Sequence, residues 1–117
     1  MATVLVVDDD AGVRQIASLI LKQKGHSTMQ ATNGLEALMV YSSYRANLDL
    51  VLTDIDMPQM NGMELAARIR ESDPEKKILM MSGRPPDNIG EYPFLPKPFL
   101  PDQLVSAVEG VLNAQTT

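Results

Sequence analysis

Six side chains at four points of the sequence are of types that can share one piece of chemistry. The run VLVVDDDAG, from Val4 to Gly12, is apolar enough to be buried, yet it ends in Asp8, Asp9 and Asp10. Carboxylates crowded together where solvent is withdrawn repel one another and require positive charge beside them. Farther along, LDLVLTD ends in Asp54, KILMMS ends in Ser82, and Phe94 to Pro96 leads into Lys97. Hard oxygen donors at this density suit Mg²⁺, which favours octahedral oxygen coordination, keeps several waters and bridges carboxylate to phosphate. The missing positive charge is therefore assigned to a divalent cation, helped by Lys97.

For these residues to meet, each must stand at the same end of its own strand. Val4 to Val7 is a short β-branched and apolar run. Asp10 is placed to cap the helix after it, on which Val13, Ile16, Ala17 and Ile20 keep helical spacing, and Gly25 is placed to end that helix. A second strand is predicted over His26 to Ala31, followed by Asn33 and Glu36 in the spacing of a capping box that opens a helix through Tyr41. LDLVLTD is the clearest strand. Asn61 and Glu64 repeat the capping arrangement before a helix with Leu65 and Ile69 one turn apart, which Asp73-Pro74 ends. KILMMS and Phe94 to Pro96 read as the fourth and fifth strands. Pro101 suits the first turn of a last helix whose buried stripe is Leu104, Ala107, Val108 and Val111. Strands alternating with helices predict a parallel α/β sheet with right-handed crossovers, and the run Leu50 to Leu52 suits a strand covered on both faces. Such sheets bind ligands outside the carboxyl ends of their strands, where the six residues collect.

Bulk properties narrow the function. A length of 117 residues suits one domain. No window holds 18 consecutive apolar residues, and the N-terminus lacks the pattern of a secretory signal, so no membrane span and a cytoplasmic location are expected. The absence of cysteine rules out disulfides and thiolate metal sites. A net charge of −5, with ten dispersed cations, argues against nucleic acid as a direct ligand. Asp10 reads as a helix cap and not a ligand. His26, the single histidine, is expected at the surface, away from the acidic edge. Met57, Met60, Met63, Met80 and Met81 read as core fillers, and Tyr41, Tyr44 and Tyr92 belong to no motif.

Taken together, VVDDD after strand one, LTDIDMPQMNG after strand three, MMSG after strand four and LPKPF after strand five resemble the receiver domain of bacterial two-component response regulators. The resemblance implies a single receiver domain over residues 1–117. Its fold would be a doubly wound, flavodoxin-like five-stranded sheet of strand order 2-1-3-4-5. It implies that Asp54 is the phosphoacceptor, taking its phosphoryl group from a histidine kinase or a histidine phosphotransfer domain. It further implies that Asp9 and Asp54 bind Mg²⁺ through carboxylates, Asp56 through its backbone carbonyl and Asp8 through water. Ser82 would hydrogen-bond the phosphoryl oxygens, and Lys97 would pair with the acceptor and then with phosphate. Pro98 matches a cis peptide after Lys97. Phe94 matches the position of a switch aromatic, without the hydroxyl. Asp56, two after the acceptor, and Arg84, two after Ser82, match positions that tune loss of the phosphoryl group. Their opposite charges predict that they approach across the mouth of the site.

The chain departs from the pattern between Ser82 and Phe94, where eleven residues carry three prolines and two glycines. Proline removes a donor and glycine costs about 1 kcal/mol in a helix interior, so the fourth helix is expected to be shortened or absent, one turn near Pro86 to Ile89 at most. With no recognisable output segment after Gln115, the expectation is a single-domain regulator or a receiver from a larger protein such as a hybrid kinase. Enzymatic activity beyond self-phosphorylation from a phosphodonor and slow autodephosphorylation is not expected. Three rival readings remain at this point. Asp54-x-Asp56 also resembles the nucleophile motif of haloacid-dehalogenase-like phosphohydrolases, although there the motif follows the first strand of a larger chain. A flavin-binding domain shares the fold, but three aspartates after strand one would repel its phosphate. The third is a pseudo-receiver that binds partners without phosphorylation.

Overall fold

The computed structural model describes residues 1–84 and 89–114. Five strands, β1 (Thr3–Val7), β2 (Ser27–Ala31), β3 (Leu50–Asp54), β4 (Lys77–Ser82) and β5 (Phe94–Pro96), form one parallel sheet in the order β2-β1-β3-β4-β5. Helices α1 (Ala11–Gln23), α2 (Gly34–Tyr44), α3 (Gly62–Ser72) and α4 (Pro101–Asn113) complete the doubly wound, flavodoxin-like arrangement expected from the sequence.

Alternation along the buried strands divides the core in two. Leu50 and Leu52 of β3 face Ala17 and Leu21 of α1 and Leu104 and Val108 of α4, whereas Val51 joins Ala37 and Tyr41 of α2 and Leu65, Ala66 and Ile69 of α3. Every β3 residue is buried, as a strand sandwiched between helix layers must be. Met57, Met60 and Met80 fill the α2–α3 side and Met81 the α1–α4 side, with Met63 packed at the edge. The stripe of α4 is narrower than expected, since Leu104 and Val108 are buried while Ala107 and Val111 are only partly covered.

Local signals account for the helix ends. Asp10 accepts from the N–H groups of Gly12 and Val13 and so caps α1. At the other end Gly25 takes φ +91°, donating to the Lys22 carbonyl while His26 donates to that of Leu21; this pair of bonds closes the helix in a left-handed turn that glycine adopts without steric cost. Asn61 and Glu64 form a reciprocal capping box on α3. At α2 the box is offset, because Glu36 accepts from Thr32 N–H and not from Asn33. That helix also runs one turn past Tyr41, to Tyr44.

Several expectations are corrected. The buried face of α1 is Ala17, Ser18 and Leu21, and Ile16 points outward at 57% exposure, because the helix axis lies about one residue of rotation from the assumed stripe. His26 is not a surface side chain: its ring lies between the Ala2 N–H, 3.3 Å from Nδ1, and Glu109 Oε2, 3.4 Å from Nε2, with 7% of the side chain exposed. Tyr41 and Tyr92, which sequence left without a role, both join elements. The buried Tyr41 hydroxyl donates to the Asp73 carboxylate at the end of α3, and Arg45 Nη2 holds the other Asp73 oxygen at 2.9 Å. Burial and the Asp73 contact push the Tyr41 phenol well above its ordinary range. Arg70 of α3 lies 4.8 Å from the centroid of the Tyr92 ring and donates to the Lys76 carbonyl.

The β4–β5 connection is short, as expected. Of its described residues, Gly83, Arg84 and 89–93, none is helical; Pro86 to Asn88 of the expected turn lie outside the described residues. Ile89 and Tyr92 of the connection and Phe94 of β5 pack against the α2–α3 side of the core.

Tyr41→Phe removes the donor to Asp73 and keeps the ring. It is expected to lower stability by about 1 to 2 kcal/mol in urea denaturation at neutral pH, whereas Tyr44→Phe, half exposed, is expected to leave it unchanged.

Candidate functional site

The carboxyl ends of β1, β3, β4 and β5 bring the chemistry-bearing residues together. Parallel register places Val7 beside Thr53, Asp54 beside Met81 and Ser82 beside Pro96. The next residue out from β1 is Asp8, and the next from β5 is Lys97. Carboxylate oxygens of Asp8, Asp9 and Asp54 lie within 4.8 Å of one another. Asp8 is fully buried, Asp54 is 4% exposed and Asp9 is exposed to solvent.

Lys97 Nζ lies 2.9 Å from Asp8 Oδ2 and 3.3 Å from Asp54 Oδ1, bridging the first and third strands. Its peptide with Pro98 is cis, and its N–H donates to the Ser82 carbonyl at 2.8 Å. Asp8 Oδ1 accepts from Asp10 N–H at 2.9 Å, so both oxygens of this carboxylate are engaged. The Asp56 side chain stands apart from the acidic trio: Oδ2 accepts from Ser82 Oγ at 2.8 Å, and Oδ1 is 3.5 Å from Arg84 Nη2. Asp56 and Arg84 thus approach as their charges predict. Phe94 is partly buried against the α2–α3 core.

One ammonium does not neutralise two enclosed carboxylates. Burial foremost, and then the Asp8 charge, push the Asp54 carboxyl from 3.8 up to about 6, against the pull of Lys97 and the Asp56 N–H. For Lys97, burial alone lowers the pKa, but the hydrogen bond to Asp8 and the charges of Asp54 and Asp8 outweigh it and hold the ammonium above its ordinary value. The residual negative charge, carried on hard oxygens drawn from two strands with one exposed member, fits a small divalent cation such as Mg²⁺.

Three contributors were not read from sequence. Arg14 Nη1 donates to the Asp8 carbonyl at 2.9 Å and Nε to Gln30 Oε1 at 3.1 Å, anchoring the acidic loop to α1 and β2. A cation in the first turn of a helix opposes the dipole, and that was the available signal. The Asp56 carboxylate as acceptor for Ser82 had no signal, since it depends on how two loops meet. Gly62 sits against the Asp54 backbone, where a Cβ would lie 2.3 Å from the carbonyl oxygen and 3.0 Å from Ile55 Cα. Its position in LTDIDMPQMNG was visible, but its reason was not.

Comparison with known proteins agrees with this geometry. Residues 4–109 match the family model described as the response regulator receiver domain, and the chain belongs to that family. It is 33% identical, over 97% of its length, to the sensor kinase CckA of Brucella abortus, and it spans 13% of that kinase. It is 34% identical over 98% of its length to the transcriptional regulator NtrC of Azospirillum brasilense, of which it spans 25%. It therefore covers only a minor part of these larger relatives. By contrast it spans 92% of the sporulation initiation phosphotransferase F of Bacillus subtilis, at 31% identity over 93% of this chain. Among solved structures, Vibrio cholerae CheY4 superposes with TM-score 0.85 at 32% identity, covering 95% of this chain and 98% of that one. The CheX-CheY-BeF3-Mg complex of Borrelia burgdorferi gives TM-score 0.89 at 26% identity, over 97% and 90% of the two chains.

The chain is accordingly a phosphoacceptor receiver in two-component signalling, a signalling domain of a class that binds Mg²⁺ at an acidic pocket. The rival readings are not favoured: Asp54 ends the third strand and not the first, and the loop after β1 is acidic. No helix among the described residues is long and apolar enough to cross a membrane.

Two consequences are measurable. A carboxyl whose folded pKa lies above its unfolded value stabilises the fold only while protonated, so its contribution is present at about pH 4 and lost as pH rises through about 6. Without metal at neutral pH, Asp54→Asn is expected to melt a few degrees above the parent, the difference closing as the pH is lowered to about 4. A difference independent of pH would refute the buried-charge account. Gly62→Ala forces a Cβ into backbone and is expected to cost about 1 to 3 kcal/mol in denaturant unfolding and to weaken Mg²⁺ binding through displacement of Asp54.

Proposed function

We propose that Asp54 is the phosphoacceptor and that Asp8, Asp9, Asp56, Ser82 and Lys97 serve it in the roles the family motifs imply. The observation that carries this reading is the placement of the Asp54 carboxylate, at the end of the central strand, within reach of both Lys97 and the acidic trio. One Asp54 oxygen forms a P–O bond as the P–N bond of a phosphohistidine breaks, the electron pair leaving with the imidazole. Little covalent work falls to the protein; positioning and charge neutralisation dominate phosphoryl transfer. Bound Mg²⁺ supplies neutralisation of the transferred oxygens. Asp9 and Asp54 would hold the ion through carboxylates and Asp56 through its carbonyl. Asp8, whose two oxygens are already engaged, would act through water. Lys97 keeps its charge at neutral pH and orients the acceptor. Ser82 donates to a phosphoryl oxygen, and Phe94 follows the movement of the adjoining loop. Asp56 and Arg84, paired at the mouth, set how readily water reaches the phosphoryl group.

The donor is a histidine kinase or a histidine phosphotransfer domain in the cytoplasm, with no nucleic acid partner. A mostly apolar groove open to solvent beside Lys97, lined by Asp10, Val13, Ile16, Pro98 and Phe99, is a surface against which that donor would pack. The fold acts as one receiver domain across residues 1–117. It serves either alone, a reading supported by the matching length of the Bacillus phosphotransferase, or within a hybrid kinase, supported by the receiver domain of CckA, which it matches with TM-score 0.85.

Incubation with Mg²⁺ and acetyl phosphate is expected to add about 80 Da, one phosphoryl group, in intact mass. The adduct is expected to vanish in Asp54→Ala and without Mg²⁺. Continuous release of phosphate at enzymatic rates, or an adduct that survives Asp54→Ala, would overturn the assignment.

A further inference from the structure

We propose that the Asp56 carboxylate is a positioning residue that holds the Ser82 hydroxyl in a resting arrangement and competes with the phosphoryl group for its proton. The proposal rests on the reading of Asp54 as acceptor.

A serine hydroxyl has one proton to donate. Here it goes to Asp56 Oδ2 at 2.8 Å, while Ser82 Oγ accepts the Arg84 N–H at 3.1 Å and Arg84 Nη2 stands 3.5 Å from Asp56 Oδ1. The three residues close a ring that ties the loop after β3 to the loop after β4. Bonds from a hydroxyl to an ionised carboxylate are among the stronger hydrogen bonds. This one is partly buried, with Ser82 only 2% exposed. Lys97 is directed at Asp8 and Asp54, and its two carboxylate partners do not include Asp56. Ser82 cannot donate to an oxygen on Asp54 until it leaves Asp56, and when it leaves it carries the Arg84 N–H bonded to the same oxygen. The apparent affinity for a phosphoryl group is then the intrinsic affinity scaled by the fraction of molecules in which Ser82 is free. Asp56 sets a threshold on the switch through Ser82, in addition to whatever its charge does to the anion directly.

A double-mutant cycle separates the two effects. Calorimetric titration of beryllofluoride, a phosphoryl mimic, in saturating Mg²⁺ is compared for the parent, Asp56→Ala, Ser82→Ala and the double variant. Asp56→Ala is expected to bind about tenfold more tightly than the parent, and Asp56→Asn, which keeps a neutral acceptor, to fall between them. In the Ser82→Ala background the gain from Asp56→Ala is expected to shrink to about twofold or less, the share due to charge alone. Equal gains in both backgrounds, or no gain, would overturn the proposal while leaving Asp54 as acceptor. A parent that binds no beryllofluoride, or binding that persists in Asp54→Ala, would instead overturn the acceptor reading itself and the proposal with it. Asp56 is half exposed, and melting temperatures of all variants identify any loss of folding.

Discussion

Two carboxylates enclosed with a single ammonium set the terms for the rest of this molecule. Asp8 is completely covered, Asp54 nearly so, and Lys97 reaches both from a third strand. In a medium of low dielectric the uncompensated negative charge is costly, and the surroundings show how it is held in place. The Asp10 N–H and the Arg14 guanidinium fix the loop after β1, and Gly62 lets α3 press against the Asp54 peptide. Stability is surrendered here in exchange for a site that gains from any cation that enters it.

Much of this was legible in the sequence, for reasons that differ by residue. The strands were visible because β1, β3 and β4 are short apolar runs ended by polar residues, and the caps because Asp10 and Asn61 precede helical spacing. Once the strands were known to be parallel, the convergence of Asp8, Asp54, Ser82 and Lys97 followed from the handedness of the crossovers. What was hidden depends on rotation and contact. The outward turn of Ile16 reflects a small error in helix phase. The His26 ring meets Ala2 and Glu109, 24 and 83 residues away. The roles of Tyr41 and Tyr92 arise from Asp73, just past the end of α3, and Arg70 within it, which no local pattern links to them. Likewise the Asp56–Ser82 bond joins two loops whose relative height the sequence does not encode in any periodicity.

Around the connection between β4 and β5 the core is closed by few side chains. A ring, a guanidinium and two aliphatic or aromatic side chains, Tyr92, Arg70, Ile89 and Phe94, close the sheet on that side. Arg70 serves twice, stacking on Tyr92 and donating to the Lys76 carbonyl at the start of β4.

The amide of Lys97 is bonded to the carbonyl of Ser82, and β5 is only three residues long. The residue that bears the hydroxyl and the residue that bears the ammonium are thus tied main chain to main chain, so their spacing is set by the backbone and not by side-chain rotation alone.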